Sequence, residues 1–143
     1  MFAIHFHRET GAIRNWGNHD GSTESLAGPD YEIVLFDRWH AIDPLRQRID
    51  VDRLTIVRRT RAEIAEALRL SVTNAIADEL ARTDMVMVDI ADRPMPTEQR
   101  GRWRDYRQAL RDLTGSVEDI LAAWPLRPDG IDAAQRLRER LGD

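Results

Sequence analysis

At Thr60 the sequence changes its period, and that change decides what the chain can fold into. Before it, apolar residues alternate or come in short β-branched and aromatic runs; after it, they recur every three or four positions. Phe2, Ile4 and Phe6 alternate with Ala3, His5 and His7, Glu9-Thr10-Gly11 supplies turn chemistry, and residues 12–16 resume an extended pattern. These features predict a β-hairpin with Phe2, Ile4 and Phe6 facing a core and the two histidines facing solvent. Residues 18–29 are rich in Asn, Asp, Gly and Ser and read as a loop. Tyr31-Glu-Ile-Val-Leu-Phe36 has the composition of a strand, and residues 49–51 and 54–57 read as one or two more.

Thr60-x-x-Glu63 is a capping box, and Ile64, Leu68, Val72, Ala75, Ile76 and Leu80 then follow helical spacing. This helix is expected to run to about Arg82, with residues 85–90 as a short strand or a buried connection. Arg93-Pro94-Met95-Pro96 interrupts regular structure, and Thr97 is placed to cap a second helix. On that helix Trp103, Tyr106, Leu110 and Leu113 form one apolar stripe, with Arg100, Arg104, Arg107 and Arg111 beside it. Gly115 is expected to end it, and Ser116 to cap a short segment through Ala123. Two prolines make residues 124–128 an extended arm, and Ile131, Ala134, Leu137 and Leu141 mark a last helix ending near Gly142. The expected fold is α+β. A small N-terminal antiparallel sheet, a hairpin plus one to three strands, occupies residues 1–59. Three to four helices with a Trp-Pro arm occupy 60–143, the whole packing as one unit.

Composition narrows the function. A net charge of −4, from 21 cations against 25 acids, argues against a dedicated nucleic-acid or anionic-membrane partner. The cations are all arginine, and the absence of cysteine excludes disulfides and thiol chemistry. The apolar run at the N-terminus is short for a signal peptide, and no stretch approaches ~18 apolar residues, so a cytoplasmic protein is expected.

Few residues suggest chemistry. His5 and His7 on one strand face, with His19, Asp20 and His40 in reach, match the side chains that hold Zn²⁺ or Fe²⁺, although exposed polar residues behind a buried strand face explain the pattern more simply. Asp50/Asp52 and Asp89/Asp92 are carboxylate pairs without a sign of an apolar cleft. No G-x-S-x-G, P-loop or G-x-G-x-x-G pattern occurs, so neither catalysis nor a cofactor is expected. The Arg stripe with Trp103 and Tyr106 is the one basic and aromatic constellation, but Glu98, Asp105 and Asp112 offset much of its charge.

The stretch from about residue 80 to 128 carries a more specific pattern. Thr83-Asp84 leads to a Pro-containing loop ending Met95-Pro96-Thr97-Glu98-Gln99. Trp103-x-x-Tyr106-Arg107-Gln108-Ala109-Leu110-Arg111-Asp112 and Trp124-Pro125-x-x-Pro128 follow. This resembles the phage tail assembly chaperone family, although Met85 stands where the family often has an aromatic residue. The resemblance implies a phage- or prophage-encoded, non-catalytic protein that binds an unassembled tail or tail-fibre subunit. The candidate contacts are Trp103, Tyr106, Arg107, Leu110, Arg111, Trp124 and Pro125, since aromatics and arginine dominate binding hot spots. Burial of Trp103, Tyr106 and Trp124 in the protein's own core is the competing reading. A minor structural component of the tail is the alternative function, and a small metal-binding protein using His5 and His7 a more distant one.

Overall fold

The computed structural model describes residues 1–20, 27–92 and 96–142, with the side chains of 89–92 outside the description. The expected loop at 21–26, the Arg93-Pro94-Met95 interruption and the Asp89/Asp92 pair therefore lie outside the described residues. The chain forms two compact units, Met1–Ile64 and Ala65–Asp143.

In the first unit, β1 (Phe2–His7) lies between β2 (Ile13–Asn18) and β3 (Tyr31–Phe36), antiparallel to both. A second hairpin pairs β4 (Gln47–Asp50) with β5 (Thr55–Arg58). Phe2, Ile4, Phe6, Ile13 and Ile49 form the buried core, flanked by Val34, Phe36, Ile42, Val51 and Ile56. Gly11 lets the two hairpins meet. It sits at φ +73°, and a Cβ there would fall 1.9 Å from the Ile49 carbonyl oxygen, while the Ile49 N–H donates to the Gly11 carbonyl at 2.9 Å. Only a residue without a side chain allows that approach.

The second face of β1 differs from expectation. Ala3 and His5 are buried, at 2% and 5% exposure. As the central strand, β1 has neighbours on both sides: Ala3 stands between Gly17 and Leu35, and His5 between Asn15 and Ile33. Alternation predicts which face a residue takes, but not whether that face is wet. His7, at the strand end, is half-buried against Tyr31.

Helix α1 (Arg61–Asp92) opens as the capping motif predicts on one side, since the Glu63 N–H donates to Thr60 Oγ1 at 3.2 Å. The Glu63 carboxylate instead accepts from Arg48 Nε at 3.1 Å. The helix does not stop near Arg82; it continues through residues 85–90, where neither a strand nor a buried connection forms. No Gly or Pro interrupts residues 61–92, and at ~1.5 Å per residue the helix is close to 48 Å long. Met85 and Val88 are exposed on it.

Helix α2 (Thr97–Arg111) has Pro96 at its N-cap, so Thr97 is its first residue rather than its cap. It ends at Arg111 with Asp112 as C-cap, before the expected stop at Gly115. Gly115, at φ +108°, instead packs against Asp119. Helix α3 (Val117–Ala123) carries a complete capping box: Ser116 Oγ accepts from the Asp119 N–H at 3.1 Å, and Asp119 Oδ2 accepts from the Ser116 N–H at 3.2 Å. The arm from Trp124 is extended, as two prolines require. Helix α4 (Gln135–Leu141) begins after Ile131, which is exposed rather than on the buried stripe; Ala134, Leu137 and Leu141 are buried. Gly142 closes it in the left-handed conformation.

Candidate functional site

Periodicity on α1 leads from Val72 through Ala75 and Ile76 to Glu79 and Thr83, polar side chains at positions where the helix turns inward. Both are buried, Glu79 at 4% exposure and Thr83 at 0%. A buried carboxylate must be paired or hydrogen-bonded, and the partners come from α2 and the extended arm. The Tyr106 hydroxyl donates to Glu79 Oε1 at 2.7 Å. Arg127 Nε stands 3.4 Å from the same oxygen as an ion pair, off the geometry of a hydrogen bond.

Aromatic rings enclose this contact. Trp103 and Tyr106, one helical turn apart, meet edge to face with centroids 6.1 Å apart, and the Arg127 guanidinium lies 5.8 Å above the Trp103 ring. Arg127 is steadied further by Asp129 Oδ2 at 3.0 Å. Burial raises the Tyr106 phenol above its ordinary range, and the hydrogen bond and charge of Glu79 raise it further. The Trp124 indole and Arg127 offset part of this shift. The Trp124 N–H is itself buried, with no acceptor at bonding geometry among the described residues.

Arg107, next to Tyr106, reaches the following turn of α1. Its Nη1 donates to the Leu80 carbonyl at 2.8 Å and to Thr83 Oγ1 at 2.7 Å, and its Nη2 pairs with Asp84. The Thr83 hydroxyl passes its own proton back to the Glu79 or Leu80 carbonyl, at 2.9 and 3.1 Å. The guanidinium fork therefore fixes four consecutive polar groups on one helix turn, a geometry a lysine ammonium cannot reproduce. Farther along, Arg138 Nε and Nη2 donate to the Leu121 carbonyl at 3.1 and 3.0 Å, capping the end of α3, while Nη1 pairs with Asp132.

Of the residues singled out from sequence, Trp103, Tyr106, Leu110 and Trp124 are buried. Arg107 is largely enclosed, Pro125 is half-buried and Arg111 is exposed. Sequence reasoning missed Glu79 and Arg127 as members of the cluster. The signal for Glu79 was available: it continues the buried stripe of α1 in register, where an acid demands a partner. A cleft of about 190 Å³ beside the ion pair is lined by Asp78, Glu79, Arg82, Arg127 and Ile131, among others. It is smaller than the ~300–1,000 Å³ of sites for drug-sized ligands.

The histidines do not converge. His40 packs on Phe2 and Phe36, on the face of β1 opposite His5, and His7 Nδ1 accepts from the Glu9 N–H at 3.3 Å. His19 lies 4.0 Å from Asp20. Among the described residues no group of three or more His, Cys, Asp or Glu side chains is arranged to hold a metal ion. Asp50 Oδ1 accepts from the Asp52 and Arg53 N–H groups, both at 3.1 Å, and so shapes the β4–β5 turn. Within the Arg stripe, Arg107 turns inward while Arg104 and Arg111 stay exposed.

Residues 77–129 match the family model described as "Phage tail assembly chaperone protein". The matched segment contains every residue of the Glu79–Tyr106–Arg127 cluster and the Arg107 clamp. This stretch is therefore similar to that family, and the match supports a tail assembly chaperone role. Neither curated proteins nor solved structures gave a match. No described helix is long and apolar enough to cross a membrane.

Proposed function

We propose that the protein is a non-catalytic tail assembly chaperone that acts in the host cytoplasm by binding an unassembled tail or tail-fibre subunit. What carries this reading is the coincidence of the family match with one physically connected cluster in the helical unit. The residues of the signature divide by role. Trp103, Tyr106, Leu110 and Trp124 act from the interior, with Arg107, and set the shape of the α1–α2 pair and the arm. Arg111, Pro125 and the adjoining Leu126 meet the partner. Leu126 is 70% exposed, on an arm that two prolines hold extended. An apolar side chain projected from a rigid arm suits the task of covering an apolar patch or sheet edge until assembly.

The test is capture of partners by the tagged full chain from cells producing particles, alongside Leu126→Asp and Arg111→Glu variants with unchanged melting curves. The expected result is recovery of one tail subunit by the parent and its loss from the Leu126→Asp variant. Recovery of no tail protein by the parent would overturn the reading.

A further inference from the structure

The two outer strands of the three-stranded sheet are not protected alike. On β2, the Asn15 side chain accepts the Trp16 N–H at 2.9 Å, and an isolated bridge from Ala12 to Arg48 covers the start of the strand. Strand β3 has neither device. Arg8 N–H donates to the Asp30 carbonyl, which fixes the ladder so that even-numbered residues of β3 bond to β1. The odd-numbered residues then point their backbone groups away from the sheet. Tyr31 satisfies its N–H on the Gly28 carbonyl at 3.2 Å. Ile33 and Leu35 are left with N–H and C=O groups directed at the open edge.

The strand Tyr-Glu-Ile-Val-Leu-Phe contains no Pro, Gly or Lys. An unguarded edge of this composition is a template for another strand. We propose that the occupant is β3 of a second copy of this chain, paired antiparallel with Val34 on the two-fold axis.

The register follows from two constraints. Outward-facing residues must oppose outward-facing residues, so the axis passes through a residue rather than between two. With Val34 on the axis, Ile33 of each copy faces Leu35 of the other, and both pairs exchange their full set of backbone bonds. Moving the axis to Ile33 sets Leu35 against Tyr31, whose N–H is already used. Moving it to Leu35 sets Ile33 against Asp37, where the strand has ended and the chain bends.

Charge supports the same register. Asp30 and Arg38 are both exposed, and they stand four residues to either side of Val34. In the proposed pairing each Asp30 lies opposite the Arg38 of the other copy, giving one cross-strand ion pair at either end. Centring on Ile33 sets Asp30 against Phe36 instead.

Sedimentation equilibrium on the full chain tests this, with fold checked by circular dichroism and melting curves. The parent should be a dimer. Ile33→Pro removes only an outward N–H, which an edge strand tolerates, and should give a folded monomer. Asp30→Arg or Arg38→Asp alone should weaken association roughly tenfold by opposing like charges at both ends, and the double swap should restore it. The charge variants lie on the surface, so they remain informative if the proline variant fails to fold. A monomeric parent, a dimer unaffected by Ile33→Pro in folded protein, or failure of the double swap to restore association would each overturn the proposal.

Discussion

The Tyr106 hydroxyl donates a 2.7 Å hydrogen bond to Glu79 Oε1, across 27 positions of sequence, in the interior of the helical unit. A neutral donor serving a buried carboxylate is among the stronger side-chain contacts, about 1.5–3 kcal/mol. Tyr106→Phe should lower stability by about that amount in denaturant unfolding. Glu79→Ala should cost about 3 kcal/mol or more, because it leaves Arg127 charged against Trp103. The double variant should cost clearly less than the sum, which a double-mutant cycle reads directly.

Arg107→Lys should destabilise the helical unit by about 1–3 kcal/mol despite keeping the charge. One ammonium cannot serve the Leu80 carbonyl, Thr83 Oγ1 and Asp84 together. Melting temperature is the simplest readout, and equal stability of the Lys variant and the parent would show that charge alone matters.

Gly11→Ala should disrupt the first unit. A methyl group would be driven against the Ile49 carbonyl at 1.9 Å, at a φ of +73° that already disfavours alanine. Neither contact surface can yield, since both are backbone. A loss of about 4 kcal/mol or more is expected, in the range of core disruption. Trp16 and Trp39, both in this unit, should report it by fluorescence.

The first unit should lose stability as pH falls below neutrality. Burial, with a smaller contribution from His19, depresses the pKa of His5 below its usual 6.5. The unfolded chain therefore takes up a proton more readily than the folded one. Stability is fully present above pH ~6.5 and declines as pH drops through that value towards the depressed one. His5→Gln should flatten the melting temperature between pH 7 and pH 5; an unchanged slope would assign the effect elsewhere.

Much of this was legible in the sequence, for identifiable reasons. Strands β1 to β5 and the cap at Ser116 depend on local alternation and on short-range hydrogen bonds, which residue order displays. The continuation of α1 past Arg82 was not legible, because Met85-Val-Met-Val gives the same apolar run whether strand or helix. The Thr83–Arg107 contacts that hold the preceding turn are long-range. The burial of His5 was hidden likewise, since it depends on β3 pairing beside β1. The signature itself was readable as a string, and residues 77–129 match its family. Its physical sense is not in the string: Thr83-Asp84 is present for Arg107, and Glu79 and Arg127, outside the readable motif, complete the cluster.

The central claim is that the protein acts on tail subunits before assembly and leaves no copy behind. Quantitative mass spectrometry of finished particles, beside unassembled tail subunits isolated from the same cells, tests it most directly. The account predicts the protein on the unassembled subunits and its absence from purified particles. A fixed stoichiometric amount in the particles would contradict the chaperone reading and mark the protein as a component of the tail.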